Sequence, residues 1–346
     1  MAHEDIRGAS MDTVLSKIGA RDDPYPRIVE IHPTDRCNQS CTYCFNRGLS
    51  AFSDLRGGQP KPLTLARYRS LFAEMAALGC THLSISGGGE PFCDPRVMQI
   101  IRLARSARLQ VRLVTNGTRI TAAELPELVR LNEIRVSIDA ATAETYGKVR
   151  RTDSSQFHAL LGTLRRLVFL RNLEKTSLSI GATFLVSALN QHEVKPFATL
   201  MSEIGVDRVL FKRDILADDA PSRREPAEAE NVVDGATGGT HVQFRHAHIN
   251  SGVEHASCFI PFFKVAIDPY GDIFSCGLAS QPGVTTGYVL GSLLQGSLME
   301  IWLQSRGLRV RMKLGNIGCP RCSHTDHALN TAMEAAFTRL MQRRKA

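Results

Sequence analysis

Between residues 27 and 215, short apolar runs alternate with longer stretches whose apolar residues recur at helical spacing. The runs Ile28–His32, His82–Ser86, Val111–Thr115, Ile134–Ile138, Leu178–Val186 and Arg208–Lys212 predict strands. Thr64 is placed to cap a helix that carries Tyr68, Leu71, Phe72 and Met75 on one face and ends before Gly79. Asp94-Pro95 supplies an N-cap and a first-turn proline ahead of Val97, Ile100, Ile101 and Ala104, and Thr121 is placed to cap the next helix. Strands alternating with helices predict parallel βαβ units. The expected fold is α/β: six such units forming a partial (β/α)6 barrel, with chemistry at the C-terminal ends of its strands.

Beyond the barrel the pattern changes. Ala217 to Glu230 is polar and proline-bearing, and Gly235-Ala-Thr-Gly-Gly239 follows; this reads as a linker, either a surface insertion or a lid. The alternation in His241-Val-Gln-Phe-Arg-His-Ala-His248 predicts a strand with His246 and His248 on one face. With His255, these read as solvated or substrate-facing histidines ahead of a further metal site. Val265 to Cys276 predicts a hairpin turning at Asp268-Pro-Tyr-Gly271. The tail from about Ala328 reads as a helix with Met333, Phe337 and Leu340 on one face, its basic end suiting the helix dipole. Trp302 reads as core. The expected organisation is an N-terminal arm over 1–26, the barrel over 27–215, a linker or mobile loop with a His-rich strand over 216–257, a small cysteine-ligated domain over 258–327 and a C-terminal helix over 328–346.

Composition adds bounds. The chain has 346 residues, 43% hydrophobic and 22% charged, as in ordinary soluble domains. No signal peptide or membrane-length apolar run is visible, so the expected location is cytoplasmic, and no membrane partner is expected. Structural disulfides are rare there, which turns the nine cysteines toward metal. The net charge of +8 suits an anionic substrate or an acidic electron-transfer protein. With no nucleic-acid-binding motif and only 6% aromatic residues, nucleic acid is not an expected partner.

The chemistry begins at Cys37-Asn-Gln-Ser-Cys41-Thr-Tyr-Cys44, directly after the first predicted strand, with no fourth cysteine nearby. Structural zinc closes with four ligands. Three thiolates on one loop instead suit a [4Fe–4S] cluster with one iron left open, although short cysteine clusters also occur as zinc knuckles. The spacing, with aromatic Tyr43 before the last cysteine, resembles the radical S-adenosylmethionine (SAM) family. The resemblance implies that the open iron holds the amino and carboxylate groups of SAM. It also implies an electron from a flavodoxin or ferredoxin, and a 5′-deoxyadenosyl radical that removes a substrate hydrogen. Gly88-Gly89-Glu90-Pro91 matches the family's motif for the SAM amino group. Arg135 to Ala140 resembles its fourth strand, with Ser137 and Asp139 facing the ribose and carboxylate. Arg150 matches an arginine that pairs with the methionyl carboxylate, and Tyr43 is expected near the adenine. Asn116, in Thr115-Asn116-Gly117, reads equally as a turn residue or a ligand contact.

A second cysteine set comprises Cys258, Cys276, Cys319 and Cys322. By count alone, four thiolates suit zinc or [4Fe–4S] equally. The arrangement resembles the short "twitch" form of the SPASM domain and implies one auxiliary [4Fe–4S] cluster, hence two clusters with the first. Of the two remaining cysteines, Cys80 reads as a small hydrophobe, and Cys93 as either a packing residue or the donor of a hydrogen atom to a substrate radical. The cysteine loop starts at residue 37, which leaves no room before it for a peptide-recognition domain of about eighty residues, so none is expected. The expected substrate is therefore small and polar, such as a sugar, aminocyclitol or nucleoside, oxidised in antibiotic or other natural-product biosynthesis. An epimerase, a decarboxylase and a peptide-modifying maturase are the alternatives.

Overall fold

The computed structural model describes Leu15, Ile18 and residues 25–44, 61–213, 235–237, 239–245, 257–280, 288–313, 322 and 324–343. Six strands form where the apolar runs predict them: β1 (Ile28–Ile31), β2 (His82–Ile85), β3 (Gln110–Thr115), β4 (Glu133–Ser137), β5 (Ser179–Val186) and β6 (Arg208–Arg213). They pair in parallel in chain order. The period of two sorts their side chains. Val29, Ile31, Leu83, Ile85, Val111, Leu113, Ile134 and Val136 are buried in the main apolar core. Glu30, Ser84, Arg112 and Arg135 alternate with them on the opposite, concave face. The barrel wall is therefore apolar outside, where helices cover it, and polar inside.

The covering helices are α1 (Leu65–Ala77), α2 (Val97–Ser106), α3 (Leu125–Leu128), α4 (Ala143–Arg150), α5 (Ser155–Glu174) and α6 (Val194–Ile204). Thr64 caps α1 as expected, accepting from the Arg67 N–H at 3.2 Å. The other two cap signals fall slightly early. Asp94 accepts from the Arg96 N–H at 2.8 Å, and Arg96 itself holds the cap position of α2. Thr121 donates to Glu124 Oε2, and α3 starts only at Leu125.

The sheet does not stop at six strands. β7 (Gly235–Thr237) and β8 (Thr240–Arg245) lie in the segment expected as linker, and β8 pairs parallel to β6. At the other edge, β9 (Lys264–Ile267) pairs parallel to β1 and leads through β10 (Asp272–Phe274) to β11 (Val289–Ser292). The described strands form one sheet in the order β11-β10-β9-β1-β2-β3-β4-β5-β6-β8-β7. The hairpin turn falls as predicted: Asp268 Oδ1 accepts from the Tyr270 and Asp272 N–H groups at 2.9 Å, and Gly271 takes φ +96°, which favours glycine. Thus the cysteine-bearing C-terminal region is hydrogen-bonded into the barrel sheet.

Among the described residues the helices that follow are α7 (Leu298–Gln304), α8 (Arg306–Lys313) and α9 (His324–Arg343). Trp302 is core, with the Arg309 guanidinium 3.7 Å above its ring. α9 begins ahead of the predicted Ala328, with Asp326 in its first turn, where the helix dipole favours an acid. Asp326 and Leu329 border a cavity of 270 Å³ at the N-terminal ends of the strands, beside His82, Gln110, Glu133 and Arg208. Among the described residues no helix is long and apolar enough to cross a membrane. His246, His248 and His255 lie outside the described residues.

One connection bears directly on the strand ends. Glu193, 4% exposed, accepts from the Ala141 N–H at 2.5 Å, the Thr142 N–H at 3.2 Å and the Thr142 hydroxyl at 2.6 Å. It thereby fixes the entry to α4. Glu193→Ala removes all three hydrogen bonds and is expected to lower unfolding free energy by about 1–2 kcal/mol. Urea unfolding of the anaerobic protein measures this, and an unchanged midpoint would remove Glu193 from the support of α4.

Candidate active site

The C-terminal ends of β1 to β6 open into a cavity of 270 Å³. Cys37, Cys41 and Cys44 line one side, and Gly88, Gly89, Glu90 and Pro91 line another. Asn116, Ser137, Asp139, Arg150 and Tyr43 complete the set predicted around it. One predicted residue is absent: Cys93 does not line the cavity. Its thiol donates to Asn38 Oδ1, 3.9 Å away on the cysteine loop. Cys80 is 4% exposed in the core, where burial pushes its thiol up to about 12, as suits a small hydrophobe.

Glycine is required in the turn by close packing. A Cβ on Gly89 would stand 2.0 Å from the Arg36 carbonyl oxygen, and one on Gly87 2.1 Å from the Gly89 oxygen. The approach allows the Gly89 N–H to donate to Thr34 O and the Glu90 N–H to Arg36 O, both at 2.9 Å. The turn is thus laced to the segment that enters the cysteine loop. Glu90, 3% exposed, accepts from Thr115 Oγ1 at 2.5 Å, from the Asn116 N–H at 2.6 Å and from the Phe92 N–H at 3.1 Å. Burial raises its pKa, against the hydrogen bonds that lower it. The Asn116 side chain serves the turn: it donates to Asn38 at 3.0 Å and accepts from the Thr118 N–H at 3.0 Å.

The opposite wall rests on a buried ion pair. Asp139, at φ +62°, accepts from the Leu185 N–H at 2.6 Å and from the Tyr43 hydroxyl, and it forms an ion pair with Arg150, whose Nη2 lies 2.6 Å away. Arg150 also donates to the Ile138 carbonyl at 3.3 Å and to Cys41 Sγ at 3.5 Å. Burial opposes its charge, but Asp139 and the phenol of Tyr43 hold its pKa above the ordinary value. The last carbonyls of α4 grip the cysteine loop as well: Thr42 N–H donates to Val149 O at 2.9 Å and Ser40 N–H to Arg150 O at 3.3 Å. Asp139, Tyr43 and Arg150, predicted as separate ligand contacts, are therefore bonded to one another.

The cavity fits SAM and a cluster in its chemistry. Three thiols, a buried carboxylate and an ion pair share it. Gln39, also in the lining, has a buried Oε1 without a hydrogen-bond partner among the described residues, while its amide donates to Tyr146 at 2.8 Å. Such an acceptor suits a ligand donor. Among the described residues, no three His, Cys, Asp or Glu side chains stand grouped as a metal site. The sequence reading missed Gln39, Thr183, Leu185 and Lys212. The last three lie on β5 and β6, so their nearness to strand ends was the available signal. Cys258, Cys276 and Cys322 are described, with the Ala279 N–H donating to Cys276 Sγ at 3.4 Å, whereas Cys319 lies outside the described residues.

The ionised form of Glu90 attracts an ammonium, and protonation removes that attraction. Because its pKa is raised, SAM affinity is expected to fall as pH drops through a value above the ordinary 4.5. Glu90→Gln is expected to weaken SAM binding about 10- to 100-fold near neutral pH and to abolish this acid limb. Calorimetry across pH tests both statements, and equal affinity in the variant would reduce the turn to a structural role.

The chain matches the Radical SAM superfamily over residues 31–170 and an iron–sulfur cluster-binding domain, SPASM, over 258–323. It is 24% identical over 325 residues to the mycofactocin maturase MftC of Mycobacterium tuberculosis, covering 88% of this chain and 77% of that one. An AdoMet-dependent heme synthase of Methanosarcina barkeri is 31% identical over 214 residues, 60% of this chain and 57% of the relative. A PqqA peptide cyclase of Ruegeria pomeroyi is 32% identical over 128 residues, 36% of this chain and 32% of the relative. Streptococcus suis SuiB, solved with its precursor peptide SuiA, shares the fold at a TM-score of 0.61 and 14% identity, over 86% of this chain and 70% of that one. The cysteine loop, the glycine turn and the parallel sheet thus have one common explanation: the chain belongs to the radical SAM superfamily and carries a C-terminal SPASM domain.

Proposed function

We propose that this radical SAM enzyme modifies a peptide, abstracting hydrogen from a residue presented at the mouth of the barrel. The observation that carries the catalytic part is the meeting of Cys37, Cys41, Cys44, Glu90 and the Asp139–Arg150 pair in one cavity. When bound there, a reduced [4Fe–4S] cluster supplies the electron that cleaves SAM to methionine and a 5′-deoxyadenosyl radical. Glu90 meets the SAM ammonium, and the Gly88-Gly89 turn presents its backbone beside it. Arg150 and Asp139 fix the cysteine loop against the strand ends, so the reacting atoms are held in register. Ser137, Thr183 and Lys212 offer polar contacts to the ribose or the substrate. A flavodoxin or ferredoxin is the proposed reductant.

The peptide reading rests on the relatives: one is named for a peptide it cyclises, another is a maturase and a third was solved with a precursor peptide. It takes precedence over the small polar substrate expected from the sequence. The small-substrate reading keeps one supporting observation, the similarity to a heme synthase, a name that specifies no peptide. We further propose a single auxiliary [4Fe–4S] cluster on Cys258, Cys276, Cys319 and Cys322, because a second would need more thiols than Cys80 and Cys93 provide.

The test is incubation of the reconstituted protein with SAM, dithionite or flavodoxin, and two panels: short peptides encoded beside its gene, and polyols and nucleosides. A mass change confined to a peptide, with 5′-deoxyadenosine formed in step, is expected. Turnover of a polyol or nucleoside with every peptide unchanged would overturn the peptide reading.

A further inference from the structure

The matched SPASM region ends at residue 323, yet the next helix is bonded to segments that carry the earlier cysteines. α9 starts at His324, just beyond Cys322. Asp326 and Asn330 lie four residues apart and so share one face of it. They are 4% and 1% exposed.

Asn330 accepts from the Phe259 N–H at 2.7 Å and donates to Ser257 O at 2.8 Å. Those residues flank Cys258 on either side. Around it are Leu15, Phe259, Ile260, Phe263, Leu329 and Met333, an apolar cluster in which an amide is costly unless both its ends are bonded. A leucine would suit that cluster without specifying any register.

Asp326 reaches the other cysteine segment through Lys264, with Oδ1 to Nζ at 3.5 Å. Lys264, on β9, pairs with Glu30 at 3.0 Å. Glu30 also accepts from Ser86, beside the SAM cavity, at 2.7 Å. Gly277, next to Cys276, packs so closely on this carboxylate that a Cβ there would stand 3.1 Å from Oε1.

We propose that Asn330 and Asp326 are positioning residues for the auxiliary cluster. Asn330 sets the Cys258 segment against the helix that begins beside Cys322. Asp326, through Lys264 and Glu30, sets the strand whose hairpin delivers Cys276. Cys258 and Cys276, far apart in sequence, pack against the same apolar clusters, so protein contacts supply part of the ordering that metal binding must otherwise drive. The inference rests on the proposal that these cysteines hold a cluster.

The test uses the full chain, reconstituted anaerobically, with iron analysis and electron paramagnetic resonance of the reduced protein with and without SAM. Unmodified protein is expected to bind about eight irons and to show one signal shifted by SAM and one insensitive to it. Asn330→Leu is expected to lose about half the iron and the insensitive signal, keeping the shifted one. Asp326→Asn and Asn330→Asp are expected to keep the iron but move the g-values or midpoint potential of the insensitive signal, and these carry the test if Asn330→Leu does not fold. Met333→Ala, in the same helix and fully buried, is expected to lower the melting temperature with both signals unchanged. An unaltered insensitive signal in all three polar variants overturns the inference. Its equal loss in Met333→Ala does so too, because the helix would then matter only for stability. About four irons in the unmodified protein would instead overturn the auxiliary-cluster reading itself.

Discussion

The Asp139–Arg150 ion pair is the contact on which the upper end of the barrel depends. A guanidinium and a carboxylate removed from water must satisfy each other and find further partners. Here the carboxylate also takes the Leu185 amide and the Tyr43 hydroxyl, while the guanidinium reaches the Ile138 carbonyl and Cys41 Sγ. The pair therefore joins β4, β5, α4 and the cysteine loop at one point. Asp139 has a left-handed backbone, a conformation that costs energy in a non-glycine residue and persists only where its surroundings determine it. Asn190, fully buried and bonded to the Asp139 carbonyl at 2.9 Å, is part of those surroundings.

A second set of paired charges does comparable work lower in the barrel. Glu30, Lys264 and Asp326 come from β1, β9 and α9, so their attraction ties the edge of the parallel sheet to the C-terminal helix. Burial opposes ionisation of Glu30, but Lys264, His32 and Ser86 together hold its pKa below the ordinary value. The polar concave face of the strands makes this possible. A barrel lined only by leucine and valine would offer such charges no partners. The SPASM region consequently meets the barrel through a shared sheet and buried ions.

The strands of the barrel, the cap of α1, the hairpin turn at Asp268 and the cysteine loop were all legible in the sequence. Each is written in local terms: a period of two, a hydroxyl three residues ahead of a free amide, a glycine that can take positive φ, a fixed spacing of thiols. The cavity residues on the glycine turn and after β4 were legible too, because strand ends are where such a fold exposes side chains. Where local signals misled, the error was small. Asp94 and Thr121 organise the loops before their helices, two and three residues ahead of the caps.

What required the tertiary structure was every relation between distant segments. The sequence showed Asp139, Arg150 and Tyr43 as three separate residues. Only folding, which brings α4 over the end of β4, makes them one network. Cys93 sits beside the glycine turn in sequence, and folding sets its thiol against Asn38 of the cysteine loop, a partner that no local pattern names. The pairing of β9 with β1 and of β8 with β6 joins strands far apart in the chain, and no local pattern encodes which edges meet. Asp326 and Asn330 looked like ordinary polar residues of a terminal helix. Their partners, Lys264, Ser257 and Phe259, are set by where α9 packs, because side-chain chemistry is local whereas its partners depend on the path of the whole chain.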